Sequence, residues 1–403
     1  MPIDPRSTLD ALTSLLGDAH LATPDQLPDL TLAAGHHLDL EIVFYLVDYE
    51  QRELIPWLPT GLAPRPAQAI SATLPGRAFR LIEPVAVKDP EAPRLWLPLL
   101  DGVERLGVLD VQLPPGTDPN DTQLHEALGP VVALLGHLVA VKIPYGDAIG
   151  RVRRHRSRTV AAELLWQLMP PLTFGNDRLV VAGVLEPSYD VGGDAFDYAA
   201  ERDRLHLAIF DAMGHSLHAG IITAVALAAY RNCRREGRGL SDTGVVIDDI
   251  LAAQFGGERF ATGILAQLDL DTGRLRYLAA GHPHPLVLRR GKVVKTLTGA
   301  RRLPFGLGSG AAEVGEEWLE PEDAVVLYTD GITEARDLQG NMFGGDRLVD
   351  FLERQAAADQ PTPETLRQVV HAVLDHQQGV LQDDATLLLA HWTRTASRMF
   401  SRV

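Results

Sequence analysis

The length, composition and charge of the sequence exclude several classes of protein. At 403 residues, of which 46% are hydrophobic and 22% charged, the chain is long enough for two globular domains. Its formal net charge of −16 argues against a nucleic-acid-binding protein and against docking on an anionic membrane, because both need positive charge.

The remaining global features predict a protein of the reducing cytoplasm. The single cysteine, Cys233, excludes an intrachain disulfide. The polar start over Met1–Asp10 does not have the pattern of a secretory signal. We expect no membrane span, because the longest apolar run that stands out, Ile221–Tyr230, is too short for one.

The first third of the chain has the pattern of an α+β module. Runs rich in β-branched and aromatic residues surround a turn signal at Asp101-Gly102, and apolar residues recur at helical spacing near both ends. The predicted elements are a helix over Ser7–Leu16 with a Ser or Thr cap, strands over Ile42–Val47, Gln51–Trp57, Arg94–Leu100 and Arg105–Gln112, and a helix from its cap at Asp121 to Val141.

The central hairpin of this module resembles that of GAF domains. The resemblance lies in Leu95-Trp96-Leu97-Pro98-Leu99 and Leu106-Gly107-Val108-Leu109-Asp110-Val111, and it covers about Thr8–Lys142. It implies a GAF-like sensory domain over residues 1–144 that holds a small ligand or mediates dimerisation. A related PAS-like module is the alternative.

Residues 145–172 are predicted to be a linker. Five arginines between Arg151 and Arg158 precede apolar residues at helical spacing, and Pro170-Pro171 ends the pattern. In an acidic protein a solvated helix face is favoured over a nucleic-acid site. We interpret the stretch as one switch helix over about Arg151–Met169 in a homodimer, with an apolar end that packs on a second copy or on the next domain.

After Arg178 the sequence predicts mostly antiparallel strands with paired helices, which favours two stacked sheets covered by helices. The predicted strands are Leu179–Leu185, Leu205–Phe210, Gly263–Leu268, Leu275–Ala280, Leu286–Arg289, Val293–Leu297, Ala324–Thr329 and Ala385–His391. The predicted helices are Leu217–Arg235, Asp242–Phe255, Asp346–Ala358 and Pro363–Gln378.

Four segments of this half run from apolar residues into an aspartate: Asp194, Asp211, Asp330 and Asp383. Aspartate is a poor strand residue, and turn chemistry explains any one such ending. Four of them favour carboxylates that converge on hard cations, which prefer oxygen ligands.

Six motifs in order resemble the SpoIIE-type branch of the metal-dependent protein phosphatases, the PPM family. The resemblance covers about Glu163–Trp392 and implies an α+β chain whose residues 173–394 form an αββα four-layer sandwich, before a tail over residues 395–403. The motifs are Val191-Gly-Gly-Asp194, Asp211-Ala-Met-Gly-His215, Ala280-Gly-His282-Pro283, Leu303-Pro-Phe-Gly-Leu-Gly308, Tyr328-Thr-Asp-Gly331 and Asp383-Asp-Ala-Thr386.

The resemblance implies two Mn²⁺ or Mg²⁺ ions. Asp211 would bridge them, with Asp194 and the carbonyl of Ala212 on one ion and Asp330 and Asp383 on the other. Two such ions can activate a water molecule for attack on phosphorus.

Two aspartates and three histidines have other predicted roles. A structural or outer role is predicted for Asp197. Asp384 is predicted to point away from Asp383, towards an outer contact or a further metal. His282 is interpreted as a turn residue, and neither His215 nor His284 is assigned as the acid. The family's candidate acid position holds Met213, so water is the expected proton donor.

The implied function is a phosphoserine or phosphothreonine protein phosphatase regulated by the N-terminal domain. The implied substrate is a phosphorylated STAS-domain anti-sigma-factor antagonist. The alternative is a catalytically silent signalling module that binds such a partner without turnover. Because none of the four carboxylates is lost, the enzyme is favoured.

Overall fold

The computed structural model describes residues 4–187, 189–190, 192–214, 216–308, 310–358, 360–379 and 381–393. The chain divides after His155 into two compact units. The division falls inside the stretch predicted as the linker.

The first unit is an antiparallel sheet with helices on both faces. Helices α1, α2 and α4 bury Leu15, Leu27 and Leu128 on one face, and α3 buries Phe79 on the other. The sheet order among the described residues is β3-β2-β1-β6-β5-β4. The helices are α1 Pro5–Ala19, α2 Leu27–His36, α3 Leu74–Leu81, α4 Thr122–Lys142 and α5 Ala148–Arg153; the strands are β1 Glu41–Val47, β2 Glu53–Trp57, β3 Gln68–Ala69, β4 Val85–Val87, β5 Arg94–Asp101 and β6 Glu104–Gln112.

The predicted hairpins and the long helix of this unit are confirmed. Strand β1 pairs antiparallel with β2, and β5 with β6. The Asp121 side chain caps α4 by accepting from the backbone N–H of Gln123. Helix α1 is capped by Asp4 instead of the predicted Ser or Thr. The GAF-like identity stays a prediction.

One premise of the expectation that the chain has no membrane span is wrong, because a longer apolar stretch than Ile221–Tyr230 exists. The helical stretch Thr122–Tyr145 is long and apolar enough, by length and composition alone, to cross a membrane. Its side chains at Leu128, Val131 and Leu135 are nevertheless fully buried against the sheet. Because core helices of folded domains have the same length and composition, these contacts identify α4 as a core helix of the first unit.

The prediction of one switch helix over Arg151–Met169 is also wrong. Helix α5 ends at Arg153, Arg154 is extended, and a new helix begins after Thr159, whose hydroxyl accepts from the N–H of Ala162. Closely spaced arginines repel one another at helical spacing, which disfavours a continuous helix through them. The threonine cap then starts the second helix.

The second unit contains two sheets. The strands are β7 Thr173–Gly175, β8 Leu179–Glu186, β9 Asp194–Ala200, β10 Arg204–Ala212, β11 Ala261–Asp269, β12 Arg274–Ala280, β13 Leu286–Arg289, β14 Lys292–Thr296, β15 Arg301–Arg302, β16 Gly315–Trp318, β17 Ala324–Tyr328 and β18 Ala385–Trp392. The helices are α6 Val160–Leu168, α7 Leu217–Arg235, α8 Leu240–Phe255, α9 Asp330–Thr333, α10 Gly345–Ala357 and α11 Thr362–His376.

The two sheets pack face to face between layers of helices. The first sheet has the order β15-β12-β11-β10-β9, with β16 beside β12, and the second has the order β14-β13-β17-β18-β8-β7 among the described residues. Helices α7 and α8 cover the first sheet, and α10 and α11 cover the second. The predicted αββα sandwich is therefore confirmed.

Close packing between the sheets depends on one glycine. A Cβ atom at Gly183 of β8 would lie 2.4 Å from Cζ of Phe196 in β9. Glycine alone leaves room for the fully buried Phe196 ring, which holds β9 against the second sheet.

Candidate functional site

The first pair of predicted site residues lies on neighbouring strands of the first sheet. Asp211, near the end of β10, is directly opposite Asp194, the first residue of β9. Residues opposite each other in an antiparallel pair present their side chains on the same face. The pairing therefore brings these two carboxylates together, and Ala212 follows Asp211 in the same strand.

Two threonines of the second sheet orient Asp194. Its Oδ2 atom accepts a hydrogen bond of 2.7 Å from Thr329 and one of 2.6 Å from Thr386. Asp194 is 2% exposed, so these bonds stabilise a carboxylate that has lost most of its contact with water. These contacts show that the pair of carboxylates faces the second sheet.

The second pair lies at the ends of two neighbouring strands of the second sheet. Asp330 begins α9 directly after Thr329, and Asp383 precedes β18. Both line an acidic pocket of about 180 Å³, together with Gly331, Glu334, Ala335, Gln377 and Gln382.

Gly331 permits the close approach of these two segments. A Cβ atom at this position would lie 1.9 Å from the backbone carbonyl oxygen of Asp384. Any side chain would push the segment that carries Asp383 away from Asp330.

Asp384 anchors the start of β9. Its Oδ2 atom accepts from the backbone N–H groups of Gly192, Gly193 and Asp194, at 2.7, 2.7 and 3.1 Å. Three N–H donors on one carboxylate oxygen fix the turn that presents Asp194. The geometry thus gives Asp384 an outer contact, one of the two roles that the sequence left open.

Asp197 lies on the opposite face of β9, away from the converging carboxylates. It is 1% exposed and forms ion pairs of 2.6 Å with both Arg231 and Arg234 of α7. A carboxylate held by two guanidinium groups ties the strand to the helix layer.

Of the two histidines in the motifs, His282 lies within the described residues. His282 is buried, its Nδ1 atom is 2.8 Å from Oγ1 of Thr262, and burial lowers its pKa to about 3. It is therefore neutral near pH 7 and cannot serve as a proton-donating imidazolium. His215 and Val191, which belong to two of the motifs, lie outside the described residues.

The carboxylates resist full ionisation. Burial, and then the negative charge of Asp211, raise the pKa of Asp194 well above its usual value. Burial and then Asp330 and Asp383 raise the pKa of Asp211 to about 7. Burial raises the pKa of Asp330 too, and that of Asp384 to about 6. Such a cluster needs positive charge before it can ionise completely near neutral pH.

The donor set fits a hard divalent cation by its chemistry. It consists of carboxylate oxygens and the nearby Ala212 carbonyl, the ligands that Mg²⁺ and Mn²⁺ prefer. In the part of the chain that the structure describes, no three His, Cys, Asp or Glu side chains are close enough to hold an ion as they stand. The assignment of metal ligands therefore stays a prediction.

Sequence reasoning missed the residues that hold the carboxylates in place. Thr329 and Thr386 lay within the quoted motifs but received no role, although both donate to Asp194. The sequence does place a threonine next to or near a motif aspartate, in Thr329-Asp330 and in Asp384-Ala385-Thr386. Only the pairing of β17 with β18 shows that these two threonines lie close together in the fold.

Comparisons with known proteins agree with this geometry. Residues 201–393 match the family described as Stage II sporulation protein E (SpoIIE). Protein IcfG of Synechocystis is 22% identical over an alignment of 274 residues that covers 61% of this chain and 42% of IcfG. Phosphoserine phosphatase RsbU of Bacillus subtilis is 22% identical over an alignment of 265 residues that covers 63% of this chain and 78% of RsbU. The match thus spans less than half of IcfG but most of RsbU.

The fold of the second unit also has a counterpart among solved structures. The SiaA-PP2C domain of Pseudomonas aeruginosa has a TM-score of 0.50 and 23% identity, over 58% of this chain and 94% of that domain. This likeness shows a PP2C fold, and with the family match it confirms the predicted SpoIIE-type resemblance.

We expect Asp384→Ala to weaken Mn²⁺ binding by about 10–100-fold, the usual effect of losing a group that orients a metal ligand. The three N–H groups at the start of β9 would lose their acceptor. Isothermal titration calorimetry of the metal-free protein with Mn²⁺ measures the affinity. The matched control is Asp269→Ala, because Asp269 also accepts from turn N–H groups, those of Asp271 and Thr272, but at the far end of the first sheet. Equal losses in both variants would contradict the anchoring role.

We expect Mn²⁺ affinity to fall as the pH is lowered through about 7, the raised pKa of Asp211. Above that pH the carboxylate is ionised, whereas below it a proton must leave before the ion binds. The loss approaches about tenfold per pH unit for each proton displaced. Titrations between about pH 6 and 8, in two buffers with different ionisation enthalpies, measure both affinity and proton release. A flat profile with no proton release would show that Asp211 does not contact the ion.

Proposed function

We propose that this chain is a metal-dependent protein serine/threonine phosphatase, because residues 201–393 match the SpoIIE family and the second unit has a PP2C-type fold. The observation that carries the proposal is that Asp194 and Asp211 lie opposite each other in the first sheet, that Asp194 is hydrogen-bonded to Thr329 beside Asp330, and that Asp330 and Asp383 line one pocket. The relatives RsbU and RsbP, each described as a phosphoserine phosphatase, support a phosphorylated side chain as the substrate.

In the proposed site Asp194, Asp211, Asp330 and Asp383, with the Ala212 carbonyl, would hold two Mn²⁺ or Mg²⁺ ions, and Asp211 would be the ligand shared between them. When bound, such ions supply a water molecule of lowered pKa and neutralise charge on the phosphoryl oxygens. In the hydrolysis, the water oxygen bonds to phosphorus while the bond from phosphorus to the serine or threonine oxygen breaks.

The residues of the chain have defined tasks in this reaction. Asp384 and the two threonines hold Asp194 in place, and Gly331 keeps Asp383 near Asp330. The departing alkoxide takes its proton from water, because Met213 occupies the family's acid position and His282 is neutral. The products are inorganic phosphate and a free hydroxyl side chain.

The substrate and setting that we propose follow from the resemblance. The substrate is a phosphorylated STAS-type anti-sigma-factor antagonist, and the protein is cytoplasmic. The runner-up function is a module that binds such a partner without turnover, and loss of the metal-binding carboxylates would be its mark. All four aspartates are present, which favours the enzyme.

We further propose that the first unit is a sensor, GAF-like and able to hold a small ligand, and that the chain acts as a homodimer. Helix α6 is the candidate transmitter, since it packs on α7. A Cβ atom at Gly220 of α7 would lie 3.2 Å from Cβ of Ala161, and Leu165 is fully buried. Arg231 of α7 donates to both the carbonyl of Leu168 and the carboxylate of Asp197. A shift of α6 can therefore reach β9, the strand that carries Asp194.

Asp211→Asn and Asp330→Asn should abolish Mn²⁺-dependent hydrolysis of a serine-phosphorylated protein, because a carboxamide is a far weaker ligand for a hard cation. Asp197→Asn is the matched control and should retain more activity, since Asp197 faces α7. Phosphate release, with and without excess EDTA, measures the effect. Full activity in EDTA would contradict metal dependence, and equal total loss in all three variants would contradict the ligand assignment.

Ala161→Leu should change turnover several-fold or more, the effect of a coupling of about 1–3 kcal/mol, because the larger side chain forces α6 away from α7. Val160→Glu is the control, since Val160 is 69% exposed on the same helix. Turnover and melting temperature of the full chain are compared. If Ala161→Leu hydrolyses the phosphoprotein at the wild-type rate, α6 is a passive tether.

A further inference from the structure

Gly193, the residue before Asp194, is held on both sides of its backbone. Its N–H donates to Oδ2 of Asp384, at 2.7 Å. Its carbonyl oxygen accepts from the N–H of Ala212, at 3.3 Å, and from the hydroxyl of Thr223 in α7. The bond from Ala212 continues the pairing of β9 with β10 by one residue. Strands β9 and β10 and helix α7 are therefore joined at Gly193, next to a proposed metal ligand.

The direction of the hydrogen bond between Thr223 and Gly193 is fixed by the two groups themselves. A backbone carbonyl oxygen can only accept, so the Thr223 hydroxyl is the donor. Neither group titrates, and Thr223 is fully buried. The contact is therefore the same whatever the ionisation of the nearby carboxylates.

A helical threonine usually has an acceptor within its own helix. Its hydroxyl can donate to the carbonyl four residues back, as the hydroxyl of Thr31 does to Leu27 in α2. The hydroxyl of Thr223 instead donates to Gly193, outside α7. Threonine is a weaker helix former than alanine or leucine, so helix propensity does not account for it at this position. The contact with Gly193 does.

Helix α7 packs closely against Gly193. A Cβ atom at Gly193 would lie 3.1 Å from Cβ of Ala219, one turn before Thr223, and 2.8 Å from the carbonyl oxygen of Ala212. Contacts this short leave the backbone at Gly193 little room to shift. Because the Ala212 carbonyl takes part in the same contact, Thr223 helps to hold it in place relative to Asp194.

Helix α7 holds β9 at a second place, through the ion pairs of Arg231 and Arg234 with Asp197. Thr223 and Arg231 are eight residues apart in the helix, a rise of about 12 Å. Gly193 and Asp197 are four residues apart in the strand, a rise of about 13 Å. Because the two spacings match, α7 holds both ends of this part of β9 without distorting either element.

We propose that Thr223 is a positioning residue for the metal site, acting through the carbonyl of Gly193. Its hydrogen bond holds the start of β9 against β10 and so sets the position of Asp194 relative to the Ala212 carbonyl. Without the hydroxyl, the Gly193 carbonyl keeps only the longer bond from the N–H of Ala212. The inference rests on the proposed function in that it takes Asp194 and the Ala212 carbonyl to be metal ligands.

The test is Mn²⁺ binding by the metal-free full chain, measured by isothermal titration calorimetry. Thr223→Val keeps the shape of the side chain and removes the hydroxyl. We expect it to bind Mn²⁺ about tenfold more weakly, the lower end of the usual effect of losing a group that orients a ligand. The Gly193 carbonyl retains its bond from Ala212, so the variant should fold. Thr223→Ser keeps the hydroxyl and should bind within a few-fold of wild type.

Hydrogen exchange gives a second measurement that needs no metal. We expect Thr223→Val to speed exchange of the Ala212 amide, which donates to the same carbonyl, and Thr223→Ser to restore its protection. Thr31→Val is the matched control. Thr31 is also a fully buried helical threonine that donates to a carbonyl, but it belongs to the first unit, which carries none of the four aspartates. Melting temperatures establish that each variant is folded.

The outcomes separate the positioning role from the phosphatase function. Wild-type affinity or unchanged Ala212 exchange in Thr223→Val would overturn the positioning role. Equal losses of affinity in Thr223→Val and in either Thr223→Ser or Thr31→Val would overturn it too. A wild-type chain that binds Mn²⁺ but hydrolyses no phosphoprotein would overturn the phosphatase function alone. A wild-type chain that binds no Mn²⁺ would overturn both.

Discussion

The repulsion among carboxylates at the meeting edge of two sheets is the constraint on which the second unit depends. Two negative charges about 4 Å apart repel by about 4 kcal/mol at an effective dielectric constant of 20. Burial raises that cost, as the elevated pKa of Asp211 and of Asp194 records. The fold offsets part of it with hydroxyl and backbone N–H donors, and bound divalent cations would offset the remainder. The site is therefore unfavourable in isolation, and cation binding and site geometry are thermodynamically linked.

The two sheets position their pairs of aspartates in different ways. Strand register alone places Asp194 opposite Asp211, so that pair is as rigid as the first sheet. The second pair depends on a turn after β17 and on the approach of two backbones at Gly331. Thr329 belongs to both arrangements, because it precedes Asp330 and donates to Asp194. A change in the packing between the sheets would therefore alter the whole cluster, although no single ligand need leave its strand.

Much of this could be predicted from the sequence, because it depends on local pattern. Helix α7 occupies the predicted Leu217–Arg235, since apolar periodicity spans it without interruption. Strand β9 was missed because it begins with aspartate and carries a second one at Asp197, whose partners lie in α7. The helix break at Arg154 was not predicted, because the apolar residues that follow the basic run recur at helical spacing. Repulsion among the closely spaced arginines accounts for the break. The threonine and Asp384 contacts join residues more than fifty positions apart, and no spacing within one segment encodes them.

Strand β9 connects the helix layer of the second unit to the carboxylate cluster. One face of the strand presents Asp194 to the cluster, and the other presents Asp197 to Arg231 and Arg234. Arg231 also binds the last turn of α6 through the carbonyl of Leu168. Because Asp197 is three residues from Asp194 on the same strand, a displacement of Arg231 would act on β9 close to the carboxylate cluster. A movement of α6 too small to expose its buried side chains could thus change how Asp194 meets Asp211.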